Sequence, residues 1–257
     1  MRAMIDASPF VRVSDLSAHF GVSTVTVRAD LEVLEAEGAV TRIRGGAMPV
    51  RGLAERAFEE AQVEAAAQKA SIAAAAVEQL QPGMTVLLDV GTTTAAIAQL
   101  LAQRDDLRDL TVITSGLATA LALEGALDRL DVIVTGGTLR RLQHSLVPPL
   151  ADAVLGRIHA DIAFIGCTGV DARAGITNIN LPETEVKRAM VMAASHVVVV
   201  ADSSKLGRVH VGRVAEADAV DLLITGDDAA SATLAELREA GVARIIGVRP
   251  ASMPRRA

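Results

Sequence analysis

Hydrophobic residues recur at helical spacing in two neighbouring segments near the amino terminus. Residues 13–20 predict a short helix, and residues 24–37 predict a second helix after a tight turn at 21–23. Ser23, at the end of that turn, is a favourable helix N-cap. Within the second helix, apolar positions spaced i, i+4 and i+7 predict a buried stripe made of Val27, Leu31 and Leu34.

A strand-like alternation follows these two helices. Residues 40–44 alternate apolar and polar side chains, and the glycine pair at 45–46 predicts a turn into a short hairpin. Two helices joined by a three-residue turn and followed by a hairpin are typical of a winged helix-turn-helix, which we place at residues 1–50. Only residues 1–7 are left for a preceding helix, so we expect that helix to be truncated.

Apolar runs of strand length alternate with helical segments in the rest of the chain. The strand-like runs are 85–88, 111–113, 132–134, 162–165, 197–200, 222–224 and 244–248. The helix-like segments are 93–102, 117–127, 145–158, 183–194 and 229–240. This alternation predicts an α/β fold at residues 81–257, with an open, mostly parallel sheet and helices on both faces. Residues 51–80 predict a linker and a connecting helix.

The composition narrows the class of protein. Of the 257 residues, 51% are hydrophobic and 22% are charged, which is the balance of a folded protein. Aromatic residues make up 2%, which excludes a reader of single-stranded nucleic acid that stacks bases on aromatic rings. The single cysteine, Cys167, excludes an internal disulfide and a four-cysteine zinc site. The five histidines show no metal-ligand spacing, so we expect no metal site.

The formal net charge of −6 lies entirely in the second part of the chain. Arginines and carboxylates balance over residues 1–56, so charge alone does not indicate DNA binding there. The sequence has no apolar stretch of about 18 residues and no secretory signal. We therefore expect a cytoplasmic protein without a membrane partner.

Small and hydroxyl-bearing residues cluster where five of the predicted strands end. Because parallel strands direct their carboxyl ends to one edge of a sheet, we expect an anion pocket at that edge. Loop N–H groups, a helix N-terminus, Arg140 and Lys205 would supply donors suited to a phosphate. The expected pocket residues are Asp89, Gly91, Thr92, Thr93, Thr94, Ser115, Gly136, Gly137, Thr138, Arg140, Asp171, Glu183 and Lys205.

Each of these loops has a second interpretation. A Gly/Thr/Ser loop between a strand and a helix can be only a turn and a cap, and a carboxylate at a strand end can be a cap as well. The convergence of five loops favours the pocket. None of them is a Walker A or a G-x-G-x-x-G loop, so we expect neither a nucleoside triphosphate nor a dinucleotide, and no cofactor.

Several motifs of both predicted domains resemble those of the DeoR family of bacterial regulators. In the first domain they are VSTVTVRADL (22–31), LE (34–35) and RGGA (44–47). In the second they are LLDVGTTT (87–94), TVITSG (111–116), VIVTGGTLR (132–140), ADIAFIGCTGVDARAGITN (160–178), VKRAM (186–190) and VVVVADSSKLGR (197–208). The resemblance covers nearly the whole chain and includes the order of the domains.

The resemblance implies a transcription regulator of sugar or polyol catabolism, in most cases a repressor. It implies a sensor domain similar to ribose-5-phosphate isomerase that binds a phosphorylated sugar or polyol, and binding to operator DNA as a homo-oligomer, either a dimer or a tetramer. The phosphate would lie near residues 91–94, with Gly136, Gly137, Thr138 and Lys205 nearby. Asp89, Asp171 and Glu183 would then meet the sugar hydroxyls.

Three features depart from the family pattern. Ala29 stands where the family usually has a second consecutive Arg in the recognition helix. Arg44 stands where a His is common before the Gly-Gly pair. The first helix is short, so we expect either a start farther upstream or a damaged domain.

The second helix is the expected DNA reader, because Thr24, Thr26 and Arg28 lie away from the buried stripe and near the positive end of the helix. Arg28 is the best candidate for a base contact, since Arg pairs with guanine through two hydrogen bonds. Ser23 and Thr26 would hold phosphates, and Arg42 and Arg44 in the wing would touch the DNA backbone. The expected DNA-binding residues are therefore Ser23, Thr24, Thr26, Arg28, Arg42 and Arg44.

Two other functions compete with a regulator. A sugar-phosphate isomerase needs a positioned base and a device that polarises the carbonyl. Related isomerases carry a Lys-Gly-Gly-Gly loop, whereas residues 173–177 hold no Lys and a single Gly. The sequence therefore favours a regulator with no enzyme activity and no catalytic residues. A metabolite-binding protein that has lost DNA binding is the third possibility.

Overall fold

The computed structural model describes residues 1, 4–5, 11–36, 40–43, 45–49 and 55–250. The chain divides into two compact units, Met1–Glu55 and Arg56–Ala257. The larger unit begins at Arg56, so most of the segment expected to connect the domains belongs to it.

The smaller unit has the predicted winged helix-turn-helix fold. Its helices are α1 (Val13–Phe20) and α2 (Thr24–Ala36), and its strands are β1 (Val11–Arg12), β2 (Val40–Ile43) and β3 (Gly46–Pro49). The strands form an antiparallel sheet in the order β1-β3-β2. Gly21, with φ +66°, ends α1 in a left-handed conformation that suits glycine. The expected truncated first helix, within residues 1–7, falls mostly on residues 2–3 and 6–7, outside the described residues.

The core of the smaller unit contains the predicted stripe. Val27 and Leu31 are buried, and Leu34 packs against the core while half-exposed. The other buried core residues are Ile5, Val11, Val13, Leu16, Val40 and Ala47. Phe20, one helical turn after the buried Leu16, is 41% exposed. It is the last residue of α1.

A seven-stranded parallel sheet forms the centre of the larger unit, which confirms the predicted α/β fold. Its strands are β4 (Thr85–Leu88), β5 (Leu110–Thr114), β6 (Leu130–Val134), β9 (Ile162–Gly166), β12 (Val197–Val200), β14 (Leu222–Gly226) and β15 (Arg244–Val248). They lie in the order β15-β14-β12-β9-β4-β5-β6, and every neighbouring pair is parallel.

Helices cover both faces of this sheet. They are α3 (Phe58–Val63), α4 (Ala66–Val77), α5 (Thr92–Leu101), α6 (Leu117–Ala122), α7 (Leu150–Leu155), α8 (Leu181–Ala193) and α9 (Ser231–Glu239). The alternation of side chains along each strand divides the core in two. Val86 and Leu88 pack in the layer that contains α4 and α5 residues, whereas Leu87 packs in the layer that contains α7, α8 and α9 residues.

The helix predicted at 145–158 is wrong over its first part. Residues Ser145–Val147 form a strand, β8, which pairs antiparallel with β7 (Thr138–Arg140). Two prolines, Pro148 and Pro149, follow β8, and α7 begins after them because proline is not tolerated in a helix interior.

A second antiparallel sheet also went unpredicted. It contains β10 (Gly169–Asp171), β11 (Gly175–Asn178) and β13 (Gly212–Ala215) in that order. Within the described part of the chain, none of the helices has the length and apolar character needed to span a membrane.

Candidate functional site

The strand order reverses at the centre of the sheet. From β4 the chain adds β5 and β6 on one side, and it then returns to place β9 and β12 on the other. Ligands of open α/β sheets bind in the crevice outside the carboxyl ends of the strands at such a switch point. Here the crevice lies between the segments that follow β4 and β9, which carry many of the predicted pocket residues.

The loop after β4 provides a helix N-terminus at this crevice. Gly91 has a φ of +126° and is the N-cap of α5. This conformation strains any residue with a side chain, so glycine is needed there. The first-turn N–H groups of a helix have no partners within the helix and favour anions. Thr94 is buried and donates its hydroxyl to the Gly91 carbonyl at 2.9 Å, which holds the turn in place.

A buried ion pair joins the two strand ends. The Lys187 ammonium on α8 donates to Asp89 Oδ2 and to the Gly166 carbonyl at 3.1 Å. Asp89 Oδ2 also accepts from the Gly166 N–H at 2.9 Å. Asp89 is 0% exposed and Lys187 is 3% exposed. Asp89 therefore fixes the crevice, and Lys187 neutralises its charge.

Burial and charge act in opposite directions on this pair. Desolvation raises the pKa of Asp89, and the neighbouring Lys187 acts to lower it. Desolvation acts to lower the pKa of Lys187, but the Asp89 and Glu183 carboxylates outweigh it and the pKa is raised. Lys187 therefore keeps its proton at neutral pH. The second oxygen of Asp89, Oδ1, is buried without a hydrogen-bond partner.

Glu183 lies one helical turn before Lys187 and is held by the β7–β8 hairpin. Its Oε1 accepts from the Arg140 guanidinium and from the Ser145 hydroxyl. Both Glu183 and Ser145 are buried. Two of the predicted pocket residues, Arg140 and Glu183, are thus brought together as partners of each other.

The same hairpin packs on the end of β5. Leu146 N–H donates to the Ser115 carbonyl at 2.8 Å, and the Ser115 hydroxyl is buried without a partner. Gly137 has a φ of +132°, and a Cβ there would lie 2.3 Å from the Val147 carbonyl oxygen. Close backbone contact with β8 therefore requires glycine at this position. Gly136 is half-buried, and Thr138 is exposed.

The loop after β12 carries Lys205 in a short 3-10 helix, Ser203–Lys205. Lys205 is half-buried. This loop is tied to the first turn of α4, because Gln68 Oε1 accepts from the Ser203 N–H at 2.8 Å. The next residue along α4 is Lys69, which is 5% exposed.

Asp171 has a structural role at the turn after β10. Its Oδ1 accepts from the N–H groups of Arg173 at 2.8 Å and Ala174 at 2.9 Å, as in a capped turn. These bonds agree with the cap interpretation of this carboxylate. Its assignment to a ligand hydroxyl stays a prediction.

Sequence reasoning missed Lys187 and Lys69 as site residues. The chain has 25 Lys and Arg residues, and only three of them are lysines: Lys69, Lys187 and Lys205. All three lie in segments that adjoin the carboxyl edge of the sheet. The rarity of lysine was a usable signal. A second signal was the buried face of α8, where Glu183 and Lys187 take positions that an ordinary helix gives to apolar residues.

Two surface grooves adjoin the larger sheet and its hairpin. One adjoins β6 and is lined by Leu117, Leu121, Leu127 and Val134. The other is lined by Val147, Pro148, Leu181 and Thr138, of which Thr138 is a predicted pocket residue. Chemistry and topology identify the strand-end site, where Asp89, Thr94 and Ser115 are covered by protein. Among the described residues, no group of His, Cys, Asp and Glu is arranged to hold a metal ion.

The N-cap and the first two turns of α2 present most of the predicted DNA-binding residues. Thr24, Thr26 and Arg28 are exposed. The Ser23 hydroxyl accepts from the Thr26 N–H at 3.1 Å, so Ser23 is the N-cap that the sequence predicts.

Of the two arginines predicted to contact DNA from the wing, Arg42 lies within the described residues. The Arg42 guanidinium lies 2.8 Å from Glu32 Oε1, and its backbone N–H donates to Glu35 Oε1 at 2.9 Å. Arg42 thus ties the wing to α2. Arg44 lies outside the described residues.

Comparison with known proteins gives matches over both units. Residues 1–50 match the DeoR-like helix-turn-helix domain, and residues 64–227 match the DeoR C terminal sensor domain. The HTH-type transcriptional regulator GlpR of Haloferax volcanii is 37% identical, over 92% of this chain and 91% of its own. The putative aga operon transcriptional repressor of Escherichia coli O157:H7 is also 37% identical, over 92% of this chain and 87% of its own.

A solved structure matches part of this chain. Ribose 5-phosphate isomerase A from Methanocaldococcus jannaschii is 21% identical and matches 53% of this chain and 52% of its own, with a TM-score of 0.40.

A winged helix-turn-helix followed by a parallel α/β unit, with matches of this extent, defines a DNA-binding transcription regulator. The chain belongs to the DeoR family, as its sequence motifs indicated.

Proposed function

We propose that this protein represses genes of sugar or polyol catabolism and releases operator DNA when a phosphorylated sugar or polyol binds the larger unit. The observation that carries the proposal is the N-terminus of α5 at the switch point, with Lys205 in the loop after β12. A relative named the glycerol-3-phosphate regulon repressor, from Escherichia coli K12, is 28% identical over 84% of this chain and supports this class of ligand.

The proposed division of labour follows the two units. Residues 1–50 bind DNA, residues 51–80 connect the domains, and residues 81–257 bind the effector. We place the protein in the cytoplasm, where operator DNA and phosphorylated sugars occur together. We propose a homo-oligomer, because two recognition helices of a symmetric assembly can address two half-sites of an operator.

We propose no enzyme activity for the effector site. An isomerase base must reach a proton of the substrate. Here Asp89 is paired with Lys187, and Glu183 is held by Arg140 and Ser145. We propose that binding of the effector acts through linkage. An effector that binds more tightly to the state that cannot bind DNA lowers the affinity of the protein for its operator. A coupling of about 1–3 kcal/mol corresponds to roughly 5- to 150-fold in affinity.

Ligands with a phosphate group are expected to bind at least about a hundredfold more tightly than the same sugars without it. Hydrogen bonds to a charged group contribute about 1.5–3 kcal/mol each, and the unphosphorylated sugar loses at least two of them. Calorimetry on the full chain with a panel of sugars, polyols and their phosphates measures this difference.

Lys205→Ala and Thr93→Val should each weaken effector binding and leave DNA binding intact, which gives repressors that no longer release. Arg208→Ala is the matched control, because Arg208 is an exposed cation three residues after Lys205. Equal affinity for a sugar with and without its phosphate would refute the proposed effector class.

Arg28→Ala is expected to lower operator affinity by about 1–3 kcal/mol and to relax sequence preference at one base position. The exposed Arg28 lies in the first turns of α2, where a side chain can reach base edges in the major groove. Selection from a random duplex library, followed by titration of the selected site, measures both effects. Arg12→Ala, an exposed Arg on β1, should keep the preference. An unchanged preference for Arg28→Ala would make the base-contact assignment wrong.

A further inference from the structure

Residues 56–64 form a segment that we call the strap. It contains α3 and opens the larger unit, directly after the chain leaves the smaller one. Its first end is held by the loop of the β7–β8 hairpin. The Phe58 N–H donates to the Leu142 carbonyl at 2.9 Å, and the Phe58 ring lies 5.6 Å from the ring of His144. Phe58 is 7% exposed.

Polar contacts strengthen this first attachment. His144 Nε2 lies 3.1 Å from Glu59 Oε1, and the Gln143 amide donates to the Arg56 carbonyl. The loop that provides these contacts lies between Arg140 and Ser145 in the chain. Those are the two residues that hold Glu183, so the strap and the proposed effector site share one hairpin.

The second end of the strap is held by Lys69. Its ammonium donates to the Ala61 carbonyl and, at 2.7 Å, to the Glu64 carbonyl. Both of these acceptors are uncharged carbonyls, although Lys69 is almost fully buried. Burial lowers the pKa of Lys69, and the nearby Asp202 carboxylate only partly opposes this effect. An anion would therefore be a better partner for this cation than the carbonyls are.

The middle of the strap contacts the helix that begins at the proposed phosphate site. Helix α3 contacts α5, the helix whose N-terminus is formed by Gly91 and the threonines after it. Lys69 follows Gln68, which binds the loop that carries Lys205. The strap thus runs from the hairpin, past α5, to Lys69, whose neighbour Gln68 binds the loop that carries Lys205.

We propose that the strap is a latch over the effector site, that Lys69 is its tether, and that a bound phosphate group releases it by drawing Lys69 away from the Ala61 and Glu64 carbonyls. The inference rests on the proposed function, because it takes the ligand to be a phosphate. A phosphate adds the attraction between opposite charges to the hydrogen bonds of the ammonium, which the uncharged carbonyls do not, and this supplies the differential affinity that a population shift requires.

Release of the strap would change how the smaller unit is attached. Residues 56–64 would join the connecting segment and lengthen it. A longer flexible connection lowers the effective concentration of a second binding module at its site, so two DNA-binding units of one oligomer would bind adjacent half-sites less well. Through the latch, binding of the effector would therefore lower the affinity for operator DNA without any fixed contact between the two units.

A tryptophan in place of Phe58 reports on the strap alone, because the chain has neither Trp nor Tyr. Full-length Phe58→Trp is titrated with glycerol 3-phosphate, ribose 5-phosphate and inorganic phosphate, and binding to the same variant is measured by calorimetry. We expect the emission to shift to longer wavelength in parallel with binding. Met192→Trp, at a position that is 84% exposed, should show no shift and controls for quenching by the ligand.

Hydrogen exchange of the ligand-free protein tests the tether separately. Lys69→Met should speed exchange at amides 58–64 by about tenfold or more, because the strap loses both of its hydrogen bonds to the lysine. Gln79→Met is the matched control: its amide donates to the Ala75 carbonyl beside the end of α4, and its loss should leave the strap unchanged.

The possible outcomes separate the latch from the proposed function. Binding to Phe58→Trp without a change in its tryptophan emission would overturn the latch and leave the effector proposal standing. Unchanged exchange in Lys69→Met would also overturn the latch. If none of the phosphate compounds binds, the effector class and the latch both fail.

Discussion

Lys187→Met is expected to lower the free energy of unfolding of the larger unit by about 3–5 kcal/mol. The variant leaves the Asp89 carboxylate buried at 0% exposure without its cation, and the Gly166 carbonyl loses a donor. Removing one partner of a buried pair is more harmful than removing both, because the remaining charge stays unpaired. Urea unfolding followed by circular dichroism measures the change.

Two further variants make this test specific. Asp89→Asn combined with Lys187→Met should be more stable than Lys187→Met alone, since the amide oxygen can still accept from the Gly166 N–H and no charge is left. Arg188→Met, at the next and half-exposed position of α8, should change stability by no more than about 0.5 kcal/mol. A Lys187→Met variant as stable as Arg188→Met would contradict the role given to the ion pair.

Leu31→Ala is expected to abolish DNA binding while the larger unit stays folded. Leu31 is 1% exposed and lies in the small core of the winged helix-turn-helix. Truncation of a buried leucine costs about 2–5 kcal/mol. A unit of this size has a total stability on the order of 5 kcal/mol, so the loss unfolds much of the population.

Val33→Ala is the matched control on the same helix. Val33 is 59% exposed, so its truncation should change the free energy of unfolding of the smaller unit by no more than about 0.5 kcal/mol. Hydrogen exchange resolved by domain should show lost protection only in residues 11–49 of Leu31→Ala, and gel shift should show lost DNA binding. Loss of protection in both units would contradict their independence.

We also expect the smaller unit of the unmodified chain to exchange faster than the larger one.

The sequence predicts the large sheet well because its central strands are buried on both faces. A strand covered on both sides reads as a continuous apolar run, and the runs at 85–88 and 197–200 coincide with such strands. The strands of the hairpin and of the second sheet have three or four residues each and hold no continuous apolar run, so they give no such signal. In Ser145–Val147, pairing with Thr138–Arg140 decides the structure, and that pairing is tertiary information.

The sequence predicts those residues of the candidate site whose place follows from a local strand–loop–helix unit. Gly91 and the threonines after it could be placed because the carboxyl end of a parallel strand is a recurring ligand site. The partners of Lys187 could not be predicted from the sequence, because Asp89 is 98 positions away in the chain. Arg42 shows the same limit, since its contact with Glu32 depends on how the wing packs against α2.

The strand order of the large sheet also determines when the crevice can form during synthesis of the chain. Strand β4 pairs with β9, which brings Val86 beside Ile162, and the loop with Lys205 follows later still. Contacts between distant segments form late, and domains emerging from the ribosome fold with the N-terminal one first. The winged helix-turn-helix is complete after some fifty residues, whereas the crevice needs about two hundred. Each newly made chain therefore has its DNA-reading unit before it has any means of sensing a metabolite.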